Sequence, residues 1–201
     1  MGVVCLGPGT TYATEGNMGI IRSAHLDFVA AHASDGAYLA ACAHDMNLAG
    51  SNIHIDAASQ ARMGKRYAKG LLNQFGYLPY GAEGPKISSA TRSGAVVTVN
   101  ISQNGGTALA DGAGGSGSAL LGFRVYDAGS PCTISSTVIS GNTVVLTLSA
   151  TPAGSVTMDY AMANAPYGST TAPASVVYDN DTIPGDTLGL PLQPHALMVV
   201  T

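Results

Sequence analysis

The 201-residue sequence has no tryptophan, three cysteines and 10% charged residues, against roughly 25% charged in an average soluble protein. Its eight basic residues are scattered under a net charge of −4, which excludes the basic patch of a nucleic-acid binder. No apolar run approaches the roughly 18 residues that a membrane-spanning helix needs. Behind Met1 the short run Val3-Val4-Cys5-Leu6 lacks the basic start and the apolar length of a signal peptide. Three cysteines cannot all pair, and none forms a C-x-x-C unit, so zinc and thioredoxin-like chemistry fail on spacing. Cys5, Cys42 and Cys132 read as small buried hydrophobes, with a Cys5–Cys42 bridge between two core strands left open. A mean hydropathy of +0.23 with so little charge excludes disorder.

What is present divides near residue 80. Residues 1–76 carry helix-like periodicity and five of the eight basic residues. Val3 to Leu6 predicts a strand, Asn17 caps a helix with Ile21, Ala24, Phe28 and Ala31 inward, and Ala37 to Ala43 predicts a second strand. Asp56 caps a further helix, with Ala57, Ala61, Gly64, Ala68 and Leu71 inward and Arg62, Lys65, Arg66 and Lys69 outward. Strand, helix, strand, loop and helix is the pattern of a parallel sheet covered by helices. The predicted class is therefore α/β for residues 1–76, the C-terminal part of a parallel-sheet domain whose other strands are missing.

Residues 77–85 read as a turn-rich linker, and residues 86–201 as an all-β sandwich. Val97, Val99 and Ile101 share one face of a strand, as do Val144, Leu146 and Leu148, and again Val156, Met158 and Tyr160. Ser140-Gly141-Asn142 predicts a hairpin turn, and Leu121–Tyr126 and Ser175–Tyr178 add strands. Gly105 to Gly122 reads as a long mobile loop.

His54 is the leading candidate for chemistry. It stands in Ser51-Asn52-Ile53-His54-Ile55-Asp56, between a buried strand and an amphipathic helix, where open α/β sheets gather catalytic groups. His25 and His32 mark a helix flank, His44 has Asp45 beside it, and His195 reads as exposed. Gly185-Asp186-Thr187-Leu188 imitates a Gly-Asp-Ser-Leu nucleophile block but lies far downstream of His54. Asp179-Asn180-Asp181 with Asp186 offers oxygens for calcium but lacks EF-hand spacing and reads as a polar turn. No cofactor or metal is predicted.

The run from Asn52 to Ala68 resembles the last sequence block of SGNH (GDSL-like) hydrolases, in which an Asp-x-x-His loop delivers the base and an amphipathic helix follows. Ile20-Ile21-Arg22-Ser23-Ala24-His25 is similar to the IRxAQ helix of the sialate O-acetylesterase-like branch, with His25 in the Gln position. The resemblance covers residues 1–75 moderately and 84–195 weakly, through Gly84-Pro85 and Val177-Tyr178-Asp179-Asn180. It implies a serine esterase acting on acetylated glycans, with His54 as base.

Two departures stand out. Ser51 occupies the acid position, where a hydroxyl can orient an imidazole but cannot stabilise imidazolium as a carboxylate does. Either the base works in a dyad, or Asp45 reaches it, or the site is degenerate. No Gly-Asp-Ser precedes His54, so the chain reads as the C-terminal piece of a longer hydrolase whose N-terminal part supplies the serine. The competing reading is a non-catalytic module, receptor- or glycan-binding or structural, with Tyr126, Tyr160, Tyr167 and Tyr178 as sugar-stacking faces. The expected setting is extracellular or virion-borne, as in a phage tail-spike or tail-fibre protein, and there a homo-oligomer, a trimer, would be expected.

Overall fold

The computed structural model describes residues 1–9, 16–50, 54–167 and 172–201. The first part contains β1 (Gly2–Cys5), α1 (Asn17–Ala31), β2 (Tyr38–Cys42) and α2 (Ala57–Gln74). β1 and β2 pair in parallel, with Gly2 opposite Tyr38 and Cys5 opposite Cys42. The element order matches the sequence reading. The fold class does not.

Among the described residues the parallel component stops at these two strands, and the three remaining sheets are antiparallel. The chain is β-rich and carries two long helices, so it is not a parallel-sheet α/β domain. Strand–helix–strand patterning fixes a local connection, but it does not fix how many strands a sheet collects.

Beyond residue 85 come β3 (Lys86–Ser93), β4 (Val96–Ser102), β5 (Leu109–Asp111), β6 (Phe123–Asp127), β7 (Ser130–Cys132), β8 (Ile134–Ser140), β9 (Thr143–Leu148), β10 (Val156–Tyr160), β11 (Val177–Asp179) and β12 (His195–Val200). Two four-stranded sheets form, in the orders β3-β4-β9-β8 and β12-β10-β6-β7. They share one core. Val97, Val99, Ile101, Val144, Leu146 and Leu148 enter it from the first sheet, and Phe123, Val125, Val156, Met158 and Tyr160 from the second. Each such side chain stabilises the fold by about 1.5–3 kcal/mol through burial, and period-two alternation is what places them on one face. The predicted hairpin joins β8 to β9, with Gly141 at a φ of 57°, in the region where a side chain would be strained.

The Gly105–Gly122 stretch is more ordered than its composition suggested. β5 pairs with β11. The Asp111 carboxylate accepts the backbone N–H groups of Ala113 (3.0 Å), Gly115 (2.7 Å) and Gly117 (3.1 Å), which folds the segment into a turn. One aspartate does what the glycine count concealed.

Both long helices are turned over relative to their sequence pattern. On α1, Arg22 and Gly19 are buried, whereas Ile20, Ile21, Ala24, Phe28 and Ala31 are exposed. On α2, Ser59, Arg66, Lys69 and Gly70 are buried, and the expected inward set Ala57, Ala61, Gly64, Ala68 and Leu71 faces solvent.

The cause is specific pairing. Lys69 Nζ meets Asp181 Oδ2 at 2.6 Å, Arg62 Nε meets Asp186 Oδ2 at 3.2 Å, and Lys65 donates to the Gly185 carbonyl. The acidic tail thus supplies counter-charges to the basic face of α2, and the exposed face of that helix combines Ala57, Ala58, Ala61, Gly64 and Ala68 with Tyr67, Leu71 and Leu72. Gly70 permits the close approach: a Cβ there would stand 2.9 Å from the Ala40 carbonyl oxygen of β2.

Candidate functional site

His54 lies at the foot of α2, on a loop held by its backbone. Leu48 and Ile55 form an antiparallel bridge, and the Ala49 N–H donates to the His54 carbonyl at 2.7 Å. The Asp56 N–H donates to the Asn47 carbonyl at 3.0 Å. Asp56 caps α2 as expected, accepting the Ser59 N–H at 2.7 Å. The Ser59 hydroxyl oxygen in turn accepts the Asn47 N–H at 3.0 Å, so the cap and the loop lock each other. The His54 side chain is exposed. Ser51, the other predicted site residue, lies outside the described residues.

Asp45, the other acid that the sequence offered, is engaged by Arg66 and Tyr178. Its carboxylate is fully buried and accepts both Arg66 Nη1 (2.7 Å) and Nη2 (2.8 Å), together with the Tyr178 hydroxyl at 2.8 Å. Arg66 Nη1 also donates to the Cys42 carbonyl at 2.8 Å. Burial pushes the Asp45 carboxyl up, but Arg66 and the hydroxyl outweigh it and hold the group at about 2. The same pairing keeps the guanidinium charged. This network joins the end of β2, the middle of α2 and β11, so the segment leading into the His54 loop is fixed to the β-region by buried charge.

A second buried cation does the same for α1. Arg22 donates to the carbonyls of Leu6 (2.9 Å), Gly7 (2.8 Å), Ala161 (2.8 Å), Ala163 (2.6 Å) and Asn164 (3.1 Å). It uses all three of its nitrogens, and the fork geometry of a guanidinium is what makes so many acceptors reachable. Gly19, one turn earlier, lies so close to residue 162 that a Cβ would stand 2.1 Å from the Met162 carbonyl oxygen.

Sequence reasoning missed Arg22 and Arg66 as interior residues. The available signal was a single arginine set among apolar residues in Ile20-Ile21-Arg22, and an aspartate just beyond an apolar strand, at Ala43-His44-Asp45.

His44 is fully buried and does not pair with Asp45 through a hydrogen bond as the sequence suggested. Its ring contacts Tyr160 and Tyr167. Burial, with Arg22 and Arg66 nearby, lowers its pKa to about 3 despite Asp45.

Asp179 is shifted the other way. Burial raises it to about 6, against the backbone N–H groups of Leu190 (2.8 Å) and Asp181 (3.1 Å) that its Oδ1 accepts.

The two shifts act on stability with opposite signs. Below its ordinary pKa of 6.5 His44 takes a proton only in the unfolded chain, so stability falls as pH drops from 6.5 towards 3. Asp179 holds a proton in the folded state that the unfolded chain has released, so stability rises as pH drops through 6 towards 3.8. Each slope is about 1.4 kcal/mol per pH unit at most. Between these limits they offset, and urea midpoints should change little from pH 6 to about 4. Asp179→Asn should unmask a steady loss over that interval, and His44→Phe a gain. Identical profiles for the three proteins would contradict this assignment.

The remaining candidates sort as structural groups. His32 Nδ1 meets Asp35 Oδ2 at 2.9 Å on the surface. His25 is half-buried on α1, and His195 opens β12, half-buried rather than exposed. Tyr160, Tyr167 and Tyr178 are buried, which removes them as sugar-stacking faces, and the Tyr167 hydroxyl donates to that of Tyr160 at 2.9 Å. Tyr126 reaches Asp159 at 3.4 Å. Asp181 and Asp186, read as calcium ligands or part of a nucleophile-like block, are the counter-charges of α2. Among the described residues no group of three or more histidine, cysteine or acidic side chains could hold a metal ion.

No family model matches the chain, and no curated protein matches it in sequence. Two structures of a bacterial S-layer protein superpose with TM-scores of 0.39 and 0.37, too low to carry an argument. A crystal structure of a carbohydrate acetylesterase from Xanthomonas citri superposes on 98% of this chain with a TM-score of 0.69 at 17% identity. The chain spans 40% of the length of that structure. Over nearly its whole length, then, this chain shares its fold with part of a carbohydrate acetylesterase.

Proposed function

We propose that this chain is the histidine-bearing part of a carbohydrate esterase that removes O-acetyl groups from glycans. The observation that carries the reading is His54, exposed on a hydrogen-bonded loop at the start of α2, in a chain that shares its fold with part of a carbohydrate acetylesterase. The serine nucleophile belongs to a longer polypeptide of which this chain is a part. His54 takes the proton of that serine as its oxygen attacks the acetyl carbonyl, and backbone N–H groups receive the oxyanion. The proton then passes to the departing sugar oxygen. In the second half His54 removes a proton from water, which attacks the acetyl-enzyme, and returns that proton to the serine oxygen as acetate leaves. A low-charge β-region rich in glycine, serine and threonine suits an extracellular or virion-borne enzyme acting on acetylated polysaccharide.

Ser51 orients the imidazole in this scheme, since Asp45 is committed to Arg66. Hydrolysis of p-nitrophenyl acetate and of an O-acetylated glycan tests it. The chain alone should not exceed the buffer rate, because it supplies no activated serine. In the longer polypeptide Ser51→Ala should reduce kcat by the roughly 0.5–1.5 kcal/mol of a neutral hydrogen bond. Ser51→Asp should raise it by stabilising the imidazolium. A longer polypeptide that binds the glycan and releases no acetate would favour the non-catalytic module.

A further inference from the structure

Cys5 and Cys42 are register partners on the parallel pair β1–β2. Both are free and fully buried, packed together with Leu39, Leu26 and Val29. Register partners on neighbouring strands project to the same face, with strand axes about 4.8 Å apart. That separation falls inside the Cα window a disulfide requires, about 4.4–6.8 Å. The two side chains share one buried cluster, and the Cys5 side chain pushes the Cys42 thiol up. Cys132 sits on β7 in a different sheet and does not compete.

We propose that Cys5 and Cys42 are a disulfide site, a covalent staple across β1 and β2 that closes in an oxidising medium. The oxidant is a small-molecule disulfide such as oxidised glutathione. The Cys5 thiolate attacks one sulfur of that molecule, its S–S bond breaks, and one thiolate departs. The Cys42 thiolate then attacks the Cys5 sulfur of the mixed disulfide and expels the second. Two protein thiols lose two protons and two electrons, and one small disulfide becomes two thiols.

Burial decides when this happens. The Cys5 side chain, and then burial, push the Cys42 thiol well up, so the folded pair is inert. Exchange runs through opening of β1, a four-residue strand whose sole strand partner among the described residues is β2. Once closed, the bond is shielded by the same packing. The gain is large because a two-stranded sheet is weak by itself and the bond closes a loop containing 36 intervening residues. It also anchors the strand that leads directly into His44, Asp45 and the His54 loop.

The test uses the chain with Cys132→Ser, equilibrated in mild urea across ratios of oxidised to reduced glutathione. Samples are then acid-quenched, unfolded, alkylated and weighed by mass spectrometry. The expected result is joint loss of both alkyl groups, a mass two hydrogens below the dithiol, and a linked peptide containing residues 5 and 42. The oxidised form should melt about 10 °C above the reduced form. Two alkylated cysteines at every ratio, or glutathione adducts without an internal bond, would overturn the proposal. So would a bond that leaves Tm unchanged. Peptide mapping of the unsubstituted chain gives the same readout if Cys132→Ser folds poorly.

Discussion

Arg66→Met will lower the free energy of unfolding by about 3–5 kcal/mol at neutral pH, read from urea denaturation. The loss follows from what the substitution leaves behind. Asp45 is fully buried and receives two of its hydrogen bonds from this guanidinium. With Arg66 gone, the carboxylate must stay charged in the interior against the Tyr178 hydroxyl, or take up a proton that costs energy at neutral pH. The companion experiment separates charge from packing. Adding Asp45→Leu to Arg66→Met removes the stranded anion and should recover more than half of the loss, a coupling that unrelated sites would not show. Recovery should be incomplete, because the Cys42 carbonyl and the Tyr178 hydroxyl still lose partners.

Arg22→Met should be as damaging, on the order of 4 kcal/mol or more, for a different reason. Here the carbonyls of Leu6, Gly7, Ala161, Ala163 and Asn164 lose a donor, that of Asn164 keeping the Gly9 N–H, and each buried acceptor left unsatisfied costs about 1–3 kcal/mol. Arg22→Lys keeps the charge but has one nitrogen in place of three, so it should recover only a minority of the loss. The effect should also spread. These carbonyls belong both to the segment after β1 and to the segment after β10, so hydrogen exchange should quicken in both. Protection lost around α1 alone would mean that the guanidinium does not join them.

How much of this was legible in the sequence depends on what kind of interaction shaped each part. Alternation over Val97–Ile101, Val144–Leu148 and Val156–Tyr160 reported the sandwich core faithfully, because those strands are governed by simple burial. The Asp56 cap was legible because it is local: a carboxylate three residues from the N–H it accepts. The helix faces were not, because hydropathy treats every arginine and lysine as outward. Arg22, Arg66 and Lys69 face inward because carbonyls and carboxylates well separated along the chain await them, in residues 161–164 for Arg22, at Cys42 and Asp45 for Arg66, and at Asp181 for Lys69. Those partners are invisible to any window of neighbouring residues. The sheet assignment failed for a related reason, since a β-α-β run looks alike whether its sheet has two strands or eight. At the site, the position of His54 was readable from its loop and the following helix, whereas the fate of Asp45 was not. Its partner Arg66 looked like a solvent residue.

His54, presented by a loop fixed between the Asp45–Arg66 network and the Asp56 cap, is proposed as the base of an acetylesterase. The direct measurement is acetate release from an O-acetylated glycan by the longer polypeptide carrying His54→Ala, with its thermal unfolding recorded beside the unsubstituted protein. The account predicts a fall in kcat on the order of 10³-fold or more with Tm essentially unchanged, because the side chain is exposed and its backbone bonds survive. Full deacetylase activity in that variant would contradict it.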